Sequence, residues 1–214
     1  MNKSFTEKDW FFIRNIIIFY AVGIIGFSIK YTYGLFIHLT PIVLLMSLAL
    51  LFYYDRNNIT TKKVIFYIFI YISSLFIEMY GVNTGILFGD YTYGKGLGIK
   101  IVETPILIGI NWVLMIYITS SVFTKLKPNF LSQVIIPSSL MIGYDIIMER
   151  AAPKIDMWSW AGDSIPLQNF LMWGGLAILF HSIRYLLKIE IKNKMAAPIF
   201  IAQVLLFILI ILIK

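Results

Sequence analysis

Long apolar runs separated by short polar segments dominate the pattern along the chain. A bilayer core about 30 Å thick needs about 20 mostly apolar residues per helix. Seven stretches of about this length predict helices, at roughly 11–29, 33–54, 64–80, 103–123, 130–149, 166–187 and 196–213. The pattern therefore predicts an all-α fold, a polytopic membrane bundle of about seven transmembrane helices. Residues 1–214 are expected to form a single integral membrane domain.

Composition supports this prediction. The chain is 59% hydrophobic and 14% charged, and its mean hydropathy is +0.83. Soluble domains average about 45–50% apolar and about 25% charged residues, so an ordinary cytosolic enzyme is excluded. The sequence contains no cysteine and only two histidines. Thiol catalysis, disulfides and thiolate metal sites are therefore excluded, and a histidine-rich metal site is not expected.

The basic residues predict the orientation in the membrane. We call side A the face of the bundle that carries the N-terminus, and side B the opposite face. Side A holds the larger share of the Lys and Arg residues: Lys3, Lys8, Arg14, Arg56, Lys62, Lys63, Lys125, Lys127, Arg184, Lys188, Lys192 and Lys194. Because cytoplasmic loops are enriched in Lys and Arg, the N-terminus is expected in the cytoplasm and the protein in a bacterial or archaeal inner membrane. The net charge of +7 thus indicates topology and contact with membrane lipids, and no nucleic-acid partner.

Polar residues on the predicted helices concentrate towards side B. At about 1.5 Å per residue, His38, Asn111 and Trp173 lie about 7–10 Å below the side B ends of their helices. Asp145 lies at a similar depth. Four helices therefore carry polar or amphipathic groups into one layer, and ionisable residues inside spans indicate function.

The segment between spans three and four contains six glycines from Gly81 to Gly98. Glycines permit tight turns, so a structured, Gly-rich loop is expected here. Asp90, among these glycines, is interpreted as functional. Tyr91 and Tyr93 fit either an interfacial aromatic belt or a binding site. Glu103 and Pro105 are expected to start the fourth helix.

A pair of acidic residues marks the end of the fifth span. Asp145 and Glu149 are spaced i, i+4 and share one helix face. Two carboxyl groups this close are expected to share a proton at neutral pH, and a protonated carboxyl can act as an acid. The alternative for Glu149 is an ion pair with Arg150 or Lys154.

Aromatic and amide side chains follow this acidic pair. Trp158, Trp160 and Trp173 fit either an interfacial belt or a lining that stabilises a cation. Gln168 and Asn169 are candidates for holding a water molecule. His181, near side A, is expected to reach the lipid headgroups.

Two segments resemble the carotenoid biosynthesis hydratases, membrane proteins that hydrate the ψ-end of γ-carotene or of bacterioruberin precursors. The first is FGDYTYGKGLG at 88–98, followed by a proline and then INW at 110–112. The second is an acid-bearing helix end, then WSW at 158–160 and IPLQNFLMW at 165–173. The resemblance covers roughly residues 75–175.

The resemblance implies that water adds across the terminal Me₂C=CH– bond of an acyclic carotenoid and gives a tertiary alcohol. Asp145 and Glu149 would form the acid/base pair. Asp90 is the second candidate for the proton donor and Glu78 is the third. The reaction needs no cofactor and no metal, and the substrate would enter from the bilayer.

Binding residues follow from the same implied reaction. Amide side chains would position water, and aromatic side chains would shield the cation. The expected binding residues are Asn111, Gln168 and Asn169 for water, and Tyr91, Tyr93, Trp112, Trp160 and Trp173 for the cation. His38, in the same polar layer, is a further binding candidate. The sequence predicts no oligomeric state.

Two alternatives use the same features. A carotenoid end cyclase also protonates an isoprenoid double bond, but it excludes water so that the cation closes a ring. A non-catalytic protein that binds or transports lipids or isoprenoids is the second, because carboxyls inside membranes also relay protons. The absence of a visible inverted repeat argues against a transporter.

Overall fold

The computed structural model of the chain describes residues 5–123 and 126–214, so Lys3 and Lys125 lie outside the described residues. Within these ranges the chain forms seven α-helices. They are α1 (Glu7–Ser28), α2 (Lys30–Asp55), α3 (Thr61–Thr84), α4 (Leu107–Val122), α5 (Ile136–Ala151), α6 (Leu167–Leu186) and α7 (Ala196–Ile213). Each helix overlaps one of the seven predicted stretches, which confirms the helix-bundle prediction.

Five of the helices are long and apolar enough to cross a membrane. They are α1, α2, α3, α7 and α5, the last extended by a π-helical turn at Leu131–Ile135. The helix α4 has 16 residues and is shorter. Its residues are buried on all sides because it packs against α2, α3, α5, α6 and α7. An all-round apolar helix of this kind belongs in the interior of a bundle.

Local sequence signals explain where several helices begin and end. The helix α1 begins with a capping box, in which Thr6 and Asp9 satisfy each other's backbone N–H groups. The side chain of Thr60 caps α3 in the same region of the bundle. The helix α3 ends at Gly85, whose φ of 67° is accessible to glycine at little cost. It therefore continues past Glu78, further than the hydropathy pattern predicts.

Four short β-strands lie on side B, outside the helices. They are β1 (Tyr91–Tyr93), β2 (Lys100–Ile101), β3 (Thr104–Pro105) and β4 (Trp158–Trp160). Strands β2 and β3 form a tight hairpin, and β1 pairs antiparallel with β4. The hairpin corrects the prediction for the start of the fourth helix. Pro105 lies in β3, Glu103 lies in the hairpin turn, and α4 begins only at Leu107.

A set of polar residues is buried between α4, α5 and α6, towards side A. His181 is fully buried, with its ring nitrogens 3.2 Å from the hydroxyls of Thr119 and Ser120. Arg184 is also buried and donates to the backbone oxygens of Gln133 and Ile189. We call these residues the histidine cluster. The prediction that His181 reaches the headgroups was wrong, because the short side chains of α4 leave room for its ring inside the bundle.

Candidate active site

Three carboxyl groups are buried inside the side B half of the bundle. Glu78 comes from α3, and Asp145 and Glu149 come from consecutive turns of α5. Each is at most 2% exposed. The ion pairs among the described residues lie elsewhere: Lys63 with Asp55, Lys192 with Glu190 and Lys194 with Asp9. The three carboxyls, which we call the carboxyl cluster, are therefore surrounded by neutral groups.

Glu78 receives three hydrogen bonds from aromatic side chains. The hydroxyls of Tyr91 and Tyr93 each donate to Oε2 at 2.8 Å. The indole of Trp112 donates from Nε1 to Oε1 at 3.0 Å. Both carboxylate oxygens are thus satisfied, and hydrogen bonds to charged acceptors are among the stronger ones in proteins. These three hydrogen bonds favour the anionic form of Glu78.

Glu149 has a similar set of three donors. Trp158 and Trp160 donate from Nε1 to its Oε2 at 2.8 and 2.6 Å, and Asn169 donates to its Oε1 at 3.0 Å. The ion pairs of the described residues do not include Glu149, so the alternative pairing with Arg150 or Lys154 is not formed. The indole donors hold it inside the bundle instead of at the membrane surface.

The paired strands β1 and β4 supply four of these donors. Side chains alternate between the two faces of a strand, so Tyr91, Tyr93, Trp158 and Trp160 point inward while the residue between each pair is exposed. Tyr91 lies opposite Trp160 and Tyr93 lies opposite Trp158. The sheet therefore covers the carboxyl cluster with four aromatic rings, two facing Glu78 and two facing Glu149.

Burial and the neighbouring carboxyl keep the two tyrosines protonated. Burial raises the pKa of the Tyr91 and Tyr93 hydroxyls well above the usual range, and the charge of Glu78 raises it further. A phenol in this state acts as a hydrogen-bond donor and not as a base. Both hydroxyls therefore serve to hold the Glu78 carboxylate in place.

Asp145 differs from the two glutamates. It receives one long contact, 3.3 Å from Asn169 Nδ2 to Oδ2, and the same amide group also donates to Glu149. The other oxygen, Oδ1, is buried and has no hydrogen-bond partner. A buried carboxylate without donors is costly, whereas a neutral carboxylic acid avoids most of this cost. The geometry therefore favours Asp145 as the group in the cluster that carries a proton.

A small cavity lies between these groups. Its volume is about 10 Å³, which is room for about one water molecule. Its walls are formed by two of the three carboxyl groups, six aromatic side chains, one aliphatic side chain and one amide. These are Glu78, Glu149, Phe88, Tyr91, Tyr93, Trp158, Trp160, Trp173, Ile108 and Asn169. Trp112 and Trp173 stack on one another at 4.2 Å between ring centres. The cavity thus combines carboxyl groups, aromatic faces and space for water.

The structure brings most of the predicted site residues together and leaves four outside. The nine that meet are Glu78, Tyr91, Tyr93, Trp112, Asp145, Glu149, Trp160, Asn169 and Trp173. Asp90 is exposed beside Gly85, and His38 is exposed on α2. Gln168 is exposed and donates to the backbone oxygen of Ile86. Asn111 is buried but lines a different cavity.

Trp158 was not among the predicted site residues, although it donates to Glu149. The signal is the alternation in the WSW segment, which places both indoles on one face of a strand. The YTY segment has the same alternation. Each segment by itself fits either an interfacial belt or a binding site, and the pairing of the two across 67 residues of chain is not visible in either segment alone. Within the described residues, no group of His, Cys, Asp and Glu side chains has the arrangement to hold a metal ion.

A polytopic helix bundle with a buried, neutral-lined carboxyl cluster defines a membrane protein with a candidate acid/base site. The sequence family described as carotenoid biosynthesis protein matches residues 33–214. The chain belongs to this family and has a role in carotenoid biosynthesis. Comparison with curated proteins and comparison with solved structures each found no match.

Proposed function

We propose that the protein adds water across the terminal C=C bond of an acyclic carotenoid ψ-end. The observation that carries this proposal is the environment of Asp145, a buried carboxyl without its own donors beside two carboxyls that have three donors each. Protonating an isolated alkene requires a neutral acid kept out of water. The family supports a carotenoid as the substrate.

The first step is protonation. Asp145 gives its proton to the less substituted carbon of the Me₂C=CH– end, and the π electron pair forms the new C–H bond. The positive charge then lies on the carbon that bears the two methyl groups. The carboxylates of Glu78 and Glu149 would stabilise this cation by their charge. The faces of the surrounding aromatic rings would add to this, because such faces attract cations.

The second step is capture by water. A water oxygen forms the C–O bond to the tertiary cation, and the excess proton passes to the Asp145 carboxylate. The net change is addition of one H₂O, and the acid is regenerated. No redox partner is needed for this balance. Asn169 donates to both Asp145 and Glu149. Its amide would hold the two carboxyl groups side by side during the reaction.

The competing reaction on the same cation is ring closure. A cyclase would need a cavity that folds the polyene back on itself and contains no water. The small cavity beside Glu149, with room for about one water, favours hydration. The two reactions are distinguished by product mass.

The test expresses the chain in cells that make an acyclic carotene and compares their pigments with those of cells lacking it. The expected product is heavier by one water and takes its oxygen from ¹⁸O-labelled water. A product of unchanged mass with altered absorption would replace the hydratase by a cyclase. Unchanged pigments, with the protein present in the membrane, would contradict both enzymes and favour a binding or transport protein.

The orientation is part of the same proposal. The helices run alternately, so the loops that carry β1 and β4 lie together on side B while the N-terminus lies on side A, where Lys194 contacts Asp9. The excess of basic residues on side A supports a cytoplasmic N-terminus. The carboxyl cluster would then lie in the outer half of an inner membrane, and its substrate would come from the bilayer.

A further inference from the structure

A series of cavities, which we call the path, lies along α1 and α2, and each cavity shares lining residues with the next. It consists of three cavities with volumes of about 400, 130 and 30 Å³, from side A to side B. The first two share Phe19 and Tyr20, and the second and third share Tyr20, Val43 and Leu206. From Phe12 to Phe27, the α1 residues along it, the path is about 22 Å long.

The first two cavities suit an uncharged, chain-like molecule. Their walls contain no Lys, Arg, Asp or Glu. Aromatic and aliphatic side chains such as Phe12, Phe36 and Leu39 form most of the lining. A lipid with a charged headgroup would find no partner here. A long hydrocarbon would bury its length against these side chains. Phe11 and Met46, on the wall of the first cavity, are 53% and 51% exposed on the outside of the bundle.

The third cavity, which we call the inner cavity, is lined by two side chains that each have a polar atom without a partner. Asn111 Nδ2 and Gln203 Oε1 belong to side chains that are 2% exposed, and neither atom has a hydrogen bond. Both side chains line the inner cavity. One is a donor and the other an acceptor, so a water molecule or a hydroxyl would satisfy both. A volume of about 30 Å³ has room for such a group.

The inner cavity lies next to the carboxyl cluster. Asn111 immediately precedes Trp112 on α4, and Tyr144, also on the wall, immediately precedes Asp145 on α5. The two helices pack against each other. On each of these two helices, one residue lines the inner cavity and the next, Trp112 or Asp145, takes part in the carboxyl site.

We propose that this path binds a linear isoprenoid hydrocarbon, with its terminal double bond between the inner cavity and the carboxyl cluster and a water molecule in the inner cavity, held by Asn111 and Gln203. The chain would lie between α1 and α2 and reach towards side A. The assignment rests on the proposed function for the reaction at the terminal bond. It adds the binding path and names Gln203 as a residue that positions water.

The test blocks the path at Gly23, which lies on α1 in the wall of the middle cavity. An added Cβ there meets only Leu206, at the ordinary contact distance of 3.8 Å, so Gly23→Phe would place its ring in the path without moving the backbone. Gly34→Phe is the matched control, because Gly34 is a helical glycine that faces open space. Both proteins are made at full length in cells that accumulate an acyclic C40 carotene. Carotene per protein is measured after purification in detergent.

The expected result is that the Gly23→Phe protein carries at least about tenfold less carotene than the Gly34→Phe protein, because a filled cavity removes the contact area that binds the chain. Equal carotene in the two proteins, or none in the wild type, would overturn the path. If Gly23→Phe does not give a folded protein, Val43→Phe tests the same cavity from α2.

Product mass keeps this result separate from the proposed reaction. Carotene that depends on Gly23 but keeps its mass in the wild type would retain the path and reject the hydratase. Hydration at the wild-type rate in Gly23→Phe would reject the path and retain the hydratase. Asn111→Leu with Gln203→Met removes both polar atoms together, so neither is left unpaired. This variant should still bind carotene and should hydrate it at least about tenfold more slowly, whereas an unchanged rate would reject the water site.

Discussion

The carboxyl cluster and the histidine cluster both bury polar groups in one bundle, about 18 Å apart along α6 from Asn169 to His181. Their partners differ. His181 and Arg184 contact hydroxyls, an amide and backbone oxygens of adjoining helices and turns. The carboxyl cluster draws four of its six donors from a pair of strands outside the helices and contains one carboxyl with few partners.

This difference separates a structural role from a chemical one. His181 has a partner at each ring nitrogen, and Arg184 donates to three acceptors and has only its Nε unpaired. Buried polar groups with several partners mainly fix helix positions. An acid whose oxygen lacks a partner is costly to keep, and such costs are found at functional sites. Burial of an ionisable residue in the membrane is thus a weaker indication of catalysis than the state of its hydrogen bonds.

The largest effect is expected at Asp145. Asp145→Asn keeps the shape of the side chain and removes its acidic proton. Turnover should therefore fall about 10²–10⁴-fold, while carotene remains bound. The measurement is product formed per folded protein. Asp90→Asn makes the same chemical change at an exposed position and should retain turnover within about twofold. Equal losses in both variants, or turnover retained in Asp145→Asn, would remove Asp145 from the mechanism.

His181 should behave in the opposite way. His181→Leu leaves the Ser120 hydroxyl without its partner, whereas Thr119 still donates to the backbone oxygen of Met115. A buried polar group left unsatisfied costs about 1–3 kcal/mol. The free energy of unfolding, measured by denaturant titration in detergent, should therefore fall, and turnover per folded molecule should stay near the wild-type value. A large loss of turnover at wild-type stability would assign the histidine cluster a chemical role.

A substitution at Tyr93 tests the hydrogen-bond donors of the carboxyl cluster. Its expected effect on turnover is smaller than that of Asp145→Asn. Tyr93→Phe removes one hydroxyl, but Tyr91 and Trp112 still donate to Glu78. Stability should fall by about 1 kcal/mol and turnover by several-fold. Tyr31→Phe is the control, since Tyr31 is 96% exposed. An effect in Tyr31→Phe as large as that in Tyr93→Phe would mean that the Tyr93 hydroxyl contributes nothing specific.

The orientation of the chain in the membrane can be tested with variants that are expected to keep wild-type turnover. Because the chain has no cysteine, Lys95→Cys and Lys192→Cys each introduce one thiol at an exposed position on side B or side A. A membrane-impermeant maleimide should label Lys95→Cys in intact cells and Lys192→Cys only after permeabilisation. The reverse pattern would invert the proposed orientation.

The sequence predicts the helices well and the site in part. Helix positions follow from hydropathy, and the shared face of Asp145 and Glu149 follows from their i, i+4 spacing. The convergence of Glu78 on this pair depends on how α3 packs against α4, and the pairing of β1 with β4 joins residues far apart in the chain. Neither of these contacts can be predicted from the hydropathy pattern.

Two predicted positions illustrate the same limit. Asp90, set among glycines, was interpreted as functional and as the second candidate for the proton donor, but it is exposed outside the cluster because β1 turns Tyr91 and Tyr93 inward. His181 was placed at the headgroups because basic residues follow it. The small side chains of Thr119 and Ser120 accept its ring instead. In both cases the neighbouring chain, and not the residue type, decides the environment.

The central claim is that a carboxylic acid in the side B cluster protonates a terminal alkene and that water captures the cation. Purified protein supplied with an acyclic carotene in D₂¹⁸O tests it most directly. The account predicts a product with one non-exchangeable deuterium on the carbon next to the new tertiary alcohol and one ¹⁸O in its hydroxyl. Deuterium without ¹⁸O would indicate cyclisation, and a product with neither label would contradict acid-initiated chemistry.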